Sequence, residues 1–223
     1  MTDERLLLLV RHGITAWNRE GRFQGHLDPP LSDEGHHEAQ LLARRLAAAP
    51  ERPRRLISSS LGRARQTAEI VAAALDDLDV ESDPRLMEIG QGVWEGRTHA
   101  ELEVQDPVRY AAWRRHSDEQ PPGAEPLDHA LARVAELLDE VTDSTIWPIC
   151  LVSHGGTLRL LARHLLSLGA PQTWTLDLDN ASLSKLAWTD ADGWRLLSWN
   201  DAHHLLGGGP THVDESEGRP LAL

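Results

Sequence analysis

A single cysteine stands in 223 residues, so no disulfide can form within the chain. Cys150 lies inside an apolar run, which suits a buried, inert thiol better than a reactive one. Positive charge is also short: 22 Lys and Arg face 35 Asp and Glu, a formal net charge of −13. That balance argues against a nucleic-acid backbone or an anionic membrane as the main partner. An anionic ligand would have to be held by a local cluster of cations. No apolar run is long enough to span a bilayer. Asp3 and Glu4 do not fit a signal-peptide layout, so a cytoplasmic location is expected, and Asn180-Ala181-Ser182 reads as a chance match to a glycosylation site.

What is present is globular. Hydrophobic residues make up 40% of the chain, enough for a sizeable core at this length. The first apolar run, Leu6 to Val10, is short and aliphatic, as in a buried strand, and ends in Arg11-His12-Gly13. A polar loop from Arg19 to Leu31 follows, then Ser32 offers an N-cap to a helix with Ala39, Leu42, Ala43 and Leu46 on one face. Arg55 to Ser59 reads as a second strand and leads into a helix starting near Leu61. Val80 to Leu86 reads as a third strand, followed by a glycine-rich loop from Met87 to Gly96.

From Arg97 to Thr145 the chain is helical in pattern, divided at Gln120 to Pro126, with an apolar stripe through Leu127, Leu131, Val134, Leu137, Leu138 and Val141. Ile149 to Val152 is a further buried strand, running into Ser153-His154-Gly155-Gly156 and a helix from Thr157 to Ser167. Leu183 to Trp188 and Trp194 to Trp199 flank an Asp-Gly turn and predict a hairpin. The stretch from Gly207 to Leu223, rich in Gly, Pro and charge, is expected to be a flexible tail beyond a single domain at 1–206. Strands alternating with helices imply an α/β fold with a mostly parallel central sheet.

In such sheets ligands bind beyond the carboxyl ends of the strands. Three strand ends then converge: Arg11 and His12 after the first, Arg63 in the helix after the second, and His154 after Val152. Two guanidiniums can fork onto several oxygens, and two imidazoles supply one nucleophile and one further donor. The predicted helix starts near Leu61 and Gly156 offer unpaired N–H groups to an anion. This set suits a tetrahedral oxyanion, and phosphate is the obvious candidate. A carboxyl is needed to protonate a departing alkoxide. Glu88 is preferred and Glu95, in the same loop, competes with it.

Arg11-His12-Gly13 with Thr15 and Asn18, the loop Gln24-Gly25 to Gly35, Ser60 with Arg63-Ala64 and Gln66-Thr67-Ala68, the stretch Leu86 to Gly96, and Ser153-His154-Gly155-Gly156 stand in the order of five family motifs. The chain resembles the histidine phosphatase superfamily, in its phosphoglycerate-mutase-like branch. The resemblance implies a sheet sandwiched between helices in three layers, with a helical insertion at about 97–145 over the site. It implies His12 as a nucleophile forming a phosphohistidine. Arg11, Arg63 and His154 would hold the phosphoryl group, with Glu88 as the acid and then the base. Asn18, the Gln24-Gly25 loop and the Gly155 amide would add binding contacts. No metal and no cofactor are expected, and His154 is expected to stay protonated and share the phosphate's charge.

The resemblance is not complete. Gly123-Ala124-Glu125-Pro126 departs from the Gly-Gly-Glu-Ser-like element of many phosphatases. Glu88 is followed by Ile89-Gly90-Gln91 rather than the Arg-His-Tyr-like element of mutases, which favours hydrolysis. The expected partner is a small-molecule phosphomonoester, with a homodimer left open. Mutase-type phosphoryl transfer and non-catalytic phospholigand binding stand as alternatives. A metal hydrolase is disfavoured despite twelve histidines, because no His-Glu-x-x-His element occurs and His36-His37 and His203-His204 are adjacent pairs. Ile14, Trp17, Phe23, His26 and Trp94 are the expected pocket wall.

Overall fold

The computed structural model describes residues 5–115 and 118–208. In chain order the strands are β1 (Arg5–Arg11), β2 (Arg55–Ser59), β3 (Val80–Asp83), β4 (Ile149–Ser153), β5 (Leu183–Thr189) and β6 (Gly193–Asp201). The helices are α1 (Ala16–Arg19), α2 (Asp33–Ala48), α3 (Gly62–Ala73), α4 (His99–Gln105), α5 (Pro107–Trp113), α6 (Leu127–Thr142), α7 (Gly155–Leu166) and α8 (Ala170–Trp174). The six strands form one sheet in the order β3-β2-β4-β1-β5-β6. β3, β2, β4 and β1 are mutually parallel, while β5 runs antiparallel to β1 and β6 antiparallel to β5. The sheet is therefore mixed, with the predicted hairpin added antiparallel to a parallel core.

The period-two alternation of strands explains why the central runs are apolar without interruption. Leu7, Leu9, Ile57, Ile149 and Leu151 point to one face, where α6 and α7 supply Val134, Leu137, Leu138, Leu158 and Leu161. Leu8, Val10, Leu56, Cys150 and Val152 point to the other, where α2 and α3 supply Leu42, Leu46, Ala64, Ala68 and Val71. Burial pushes the Cys150 thiol up to about 12, so it is inert packing.

Several expected boundaries move. The third strand ends at Asp83, because Pro84 starts a 3-10 turn over Pro84–Leu86 that the Asp83 side chain caps. The helix after β4 starts at Gly155, with His154 in the N-cap position. Gly207 and Gly208 close a 3-10 helix over His203–Gly208, so that part of the expected tail is structured, and 209–223 lies outside the described residues.

The stretch 97–145 separates into two parts. α6 lies in the main core against α7. α4 and α5 instead share a small cluster of Phe23, Trp94, Leu102 and Tyr110, with Trp113 packed on it. Phe23 and Trp94 are thereby core residues of this cluster, each 1% exposed, and not the pocket wall expected of them. Ring contacts tie the cluster together, with Phe23 4.7 Å from His99 and 5.0 Å from Trp113 between centroids.

Candidate active site

Strand register decides which side chains meet. Arg11 pairs with Ser153 across β1 and β4, and Ser58 pairs with Val152 across β2 and β4. The carboxyl ends of the three strands therefore lie level, and Arg11, His12, Ser59 and His154 emerge at one edge. The rings of His12 and His154 are 5.1 Å apart.

His12 is held by its backbone. Its N–H donates to Ser153 O at 3.0 Å, and its carbonyl accepts from Ala181 N at 3.1 Å and Asn180 Nδ2 at 3.0 Å. The ring Nδ1 lies 2.7 Å from Gly13 O. A carbonyl can only accept, so Nδ1 carries the proton and Nε2 of a neutral ring keeps its lone pair. Burial first, then Arg63 and Arg11, hold the imidazole well below its ordinary pKa. The ring is a neutral base at neutral pH.

The turn after His12 packs backbone against backbone. Gly13 N–H donates to Thr67 Oγ1, and Ile14 N–H donates to Glu38 Oε2 at 2.7 Å. A Cβ on Gly35 would stand 2.1 Å from Ile14 O, and one on Gly13 would stand 2.5 Å from Gly35 O. Only glycine at both positions lets α2 close on this turn. Thr15 then caps the short α1 through a reciprocal box with Asn18.

Arg63 sits in the first turn of α3, 1% exposed. Its Nη2 donates to Gly25 O at 2.9 Å and its Nη1 to Leu27 O at 2.8 Å. Gly25 thus enters the site through a carbonyl that orients Arg63. Its φ of +49° and a Cβ position 2.1 Å from Glu95 Oε1 both require glycine. Arg11 Nη1 donates to Leu178 O at 2.5 Å. Gln24 is buried, with Oε1 3.2 Å from the Thr15 hydroxyl.

The helix N-termini differ from the expected anion sites, because the chain's own carboxylates take most of their N–H groups. Asp28 accepts from Gly62 N at 2.6 Å and Arg63 N at 3.4 Å. Glu88 accepts from Gly156 N at 3.1 Å, Thr157 N at 3.0 Å and its neighbour Ile89 N at 2.9 Å. In the first turn of α7 the Gly155 amide alone has no partner among the described residues. Glu88 also separates from its competitor. It is 2% exposed and electrostatically coupled to both Arg11 and Arg63. Glu95 instead braces two loops by accepting from His26 N and Gln91 N.

His154 is fully buried and its pKa is held well below the ordinary value, by burial first and then by Arg63, His12 and Arg11. That direction runs against the expected imidazolium, because burial and two neighbouring guanidiniums disfavour a further cation there. Among the described residues, seven buried side-chain nitrogens and oxygens have no hydrogen-bond partner. Four of them are nitrogens of the expected site: Arg11 Nε, Asn18 Nδ2, Arg63 Nε and His154 Nδ1. Such clustering of unsatisfied polar atoms needs a functional reason. The donor set fits an oxyanion and repels a cation. Among the described residues no group of three or more His, Cys, Asp and Glu is placed to hold a metal ion.

Sequence reasoning missed several supports. Asn180, set aside as a chance glycosylation match, holds the His12 carbonyl. Arg159 is 2% exposed and donates through Nε to Leu176 O, and burial followed by Arg11 lowers its pKa to about 10. It lies within a helical repeat, where an arginine ordinarily faces solvent. Glu38 is buried under Ile14, and burial raises its pKa. Each makes its contact across a long stretch of chain, and no local pattern announces that.

The profile of the histidine phosphatase superfamily, branch 1, matches residues 7–202. A probable phosphoglycerate mutase from Proteus mirabilis is 38% identical over 208 residues, covering 88% of this chain and 93% of that protein. A glucosyl-3-phosphoglycerate phosphatase from Mycolicibacterium vanbaalenii is 37% identical over 219 residues, covering 88% and 94%. Among solved structures, a mycobacterial glucosyl-3-phosphoglycerate phosphatase complexed with VO3 superposes with a TM-score of 0.80 at 34% identity, covering 88% of this chain and 99% of that one. A putative alpha-ribazole-5'-P phosphatase from Escherichia coli gives 0.77 at 29% identity, covering 89% and 97%. With its mixed sheet, its level strand ends and these matches, the chain belongs to the histidine phosphatase superfamily, branch 1.

Proposed function

We propose that the chain is a metal-independent phosphomonoester hydrolase that acts on a small phosphorylated metabolite through phospho-His12. One observation carries the reading: a His12 held well below its ordinary pKa, with its proton on Nδ1 and its lone pair on Nε2, stands among buried guanidinium, amide and imidazole nitrogens that have no partner among the described residues. Those nitrogens supply what three phosphoryl oxygens need in the ground state and, more strongly, in the transition state.

In the first step Nε2 of His12 attacks phosphorus. The P–N bond forms, the bond from phosphorus to the ester oxygen breaks, and Glu88 gives a proton to the departing alkoxide. In the second step Glu88 takes a proton from water, whose oxygen attacks phosphorus. The P–N bond breaks with its electron pair returning to Nε2, inorganic phosphate leaves, the neutral imidazole returns and Glu88 again holds the proton. Arg11, Arg63, His154 and the Gly155 amide hold the transferred group in both steps, so one pocket stabilises both transition states. Asn18 and Gln24 complete the donor shell, and Gly25 fixes the fork of Arg63.

The α4–α5 unit shares its core with Phe23 and Trp94, which lie in the loops that carry Gln24 and Glu88, and through these loops it tunes how the organic part of the substrate is held. His99 N–H donates to Gly21 O, and Gly96 N–H donates to Phe23 O. Rapid-quench trapping tests the reading. An aryl phosphate should yield an acid-labile, base-stable phosphoenzyme in the native chain and none in His12→Ala. Label that persists in His12→Ala overturns it. Accumulation of phosphate exchanged between two phosphoglycerates, with no net release, selects mutase chemistry instead.

A further inference from the structure

Ser59 ends β2 and is fully buried, as is His154. The serine hydroxyl lies 2.8 Å from Nε2 of His154. The same oxygen accepts a hydrogen bond from Leu61 N–H at 3.2 Å. Ser58 is no acceptor for it, because the Ser58 hydroxyl is turned to the Ser59 carbonyl at 2.9 Å. The proton on the Ser59 hydroxyl must therefore find an acceptor, and among the described residues the one within reach is Nε2 of His154.

The accounting has two branches. If Ser59 donates, Nε2 is the acceptor nitrogen of a neutral ring and the proton sits on Nδ1. Nδ1 is the buried atom without a partner among the described residues, so a donor stands there. If Nε2 donates to Ser59 instead, the serine oxygen accepts twice and its own proton is stranded in a fully buried place. A lone pair at Nδ1 would then face an anion. Both halves of the second branch cost free energy and neither half of the first does.

We propose that Ser59 is a positioning residue that fixes His154 as its Nδ1–H tautomer, so that a neutral imidazole donates a hydrogen bond to the phosphoryl group. The proposal rests on the reading of the site as a phosphate pocket. It makes sense of a second histidine beside two arginines: His154 supplies a directed donor without adding a third positive charge near Arg11 and Arg63. It also gives the two imidazoles distinct tasks. Both carry their proton on Nδ1. In His12 that proton is tied to Gly13 O and Nε2 attacks. In His154, Nε2 is tied to Ser59 and Nδ1 donates.

Long-range nitrogen–proton correlation spectra of nitrogen-15-labelled protein test this directly, with the His154 ring assigned from its absence in His154→Asn. Free histidine favours the Nε2–H form, so a dominant Nδ1–H form in the native chain is the expected and diagnostic result. In Ser59→Ala that preference should be lost. The dissociation constant of inorganic phosphate should rise about 10- to 100-fold, the loss expected for one donor to a charged oxygen. Ser59→Thr, which keeps the hydroxyl, should restore the tautomer and most of the affinity. A native His154 protonated on Nε2 overturns the proposal whether or not any variant folds. So does phosphate affinity within twofold of native in a folded Ser59→Ala. The result stays separate from the hydrolase reading: the Nδ1–H form seen in a chain that binds phosphate and hydrolyses nothing keeps the role of Ser59 and discards the reaction.

Discussion

The strand-end site and the α4–α5 unit are built in different ways. At the strand ends, position is set by the backbone of the sheet and by two large cores, one on each face. His12 is gripped through its own N–H and C=O, and Gly13 and Gly35 pack without side chains between them. The α4–α5 unit has a core of four residues, and Val104 and Val108 on its helices are 81% and 84% exposed. The contrast separates two needs. Groups held through the sheet backbone are displaced least, which is what the proposed in-line attack by His12 requires. The smaller unit, with fewer buried contacts and exposed valines, is the more easily altered of the two.

The largest effect should come from Glu88→Gln. The amide has no acidic proton to give an alkoxide, so turnover of alkyl phosphates should fall about 10²- to 10⁴-fold. Aryl phosphates, whose leaving groups need little protonation, should lose far less. The variant also keeps only one acceptor oxygen, enough for the N–H groups of Ile89 and Thr157 on Oε1 or for that of Gly156 on Oε2 but not for both sites, at a cost to stability of about 1–3 kcal/mol. Equal losses on both substrate types would mean that Glu88 acts only by holding α7.

An intermediate effect should follow Trp113→Leu in the small cluster, where the indole packs on Phe23 and Tyr110. Stability should fall by about 1–3 kcal/mol, mostly within α4–α5. The rank order of kcat/KM across a panel of metabolite phosphates should change, while phosphoenzyme formation from an aryl phosphate stays within about threefold. A loss of phosphoenzyme formation as deep as that of Glu88→Gln would erase the distinction between the two regions.

The smallest effect at neutral pH is the one acid reveals. Buried His12 and His154 and half-buried His99 all have lowered pKa values, with His99 lowered to about 4 by desolvation and then by Arg114. Their folded pKa values lie below that of an unfolded histidine, about 6.5. Between the two values the unfolded chain binds more protons, so their contribution is fully present above pH 6.5 and is lost as pH falls toward 4. The urea midpoint should be flat from pH 8 to 7 and drop between 6 and 4.5. His99→Phe should remove part of the drop and shift it to the strand-end histidines. A midpoint unchanged from pH 7 to 4.5 would contradict the burial of these rings.

Much of the fold was legible because its signals are local. Short uninterrupted apolar runs marked β1 and β4, Ser32 marked the start of α2, and the Asp-Gly turn marked the β5–β6 hairpin. The strand ends with Arg11, His12, Arg63 and His154 followed from the rule that sites lie beyond the carboxyl ends of parallel strands. The pocket wall was less legible. Phe23 and Trp94 carry the right chemistry for a substrate wall and for a core alike, and only packing against Leu102 and Tyr110 decides for the core.

By itself, then, the sequence determined the α/β class, the parallel core strands and the residue types that meet at their carboxyl ends. These depend on periodicity and on a few residues next to each strand. The tertiary structure alone decided three things. It sent Glu88 to α7 and Glu95 to the Gln24–His26 loop, filled the helix N-termini with Asp28 and Glu88, and joined Ser59 to His154 and Asn180 to His12. The physical reason is hydrogen-bond satisfaction in a buried place. Each donor must find an acceptor, and the acceptor lies 34 to 168 residues away.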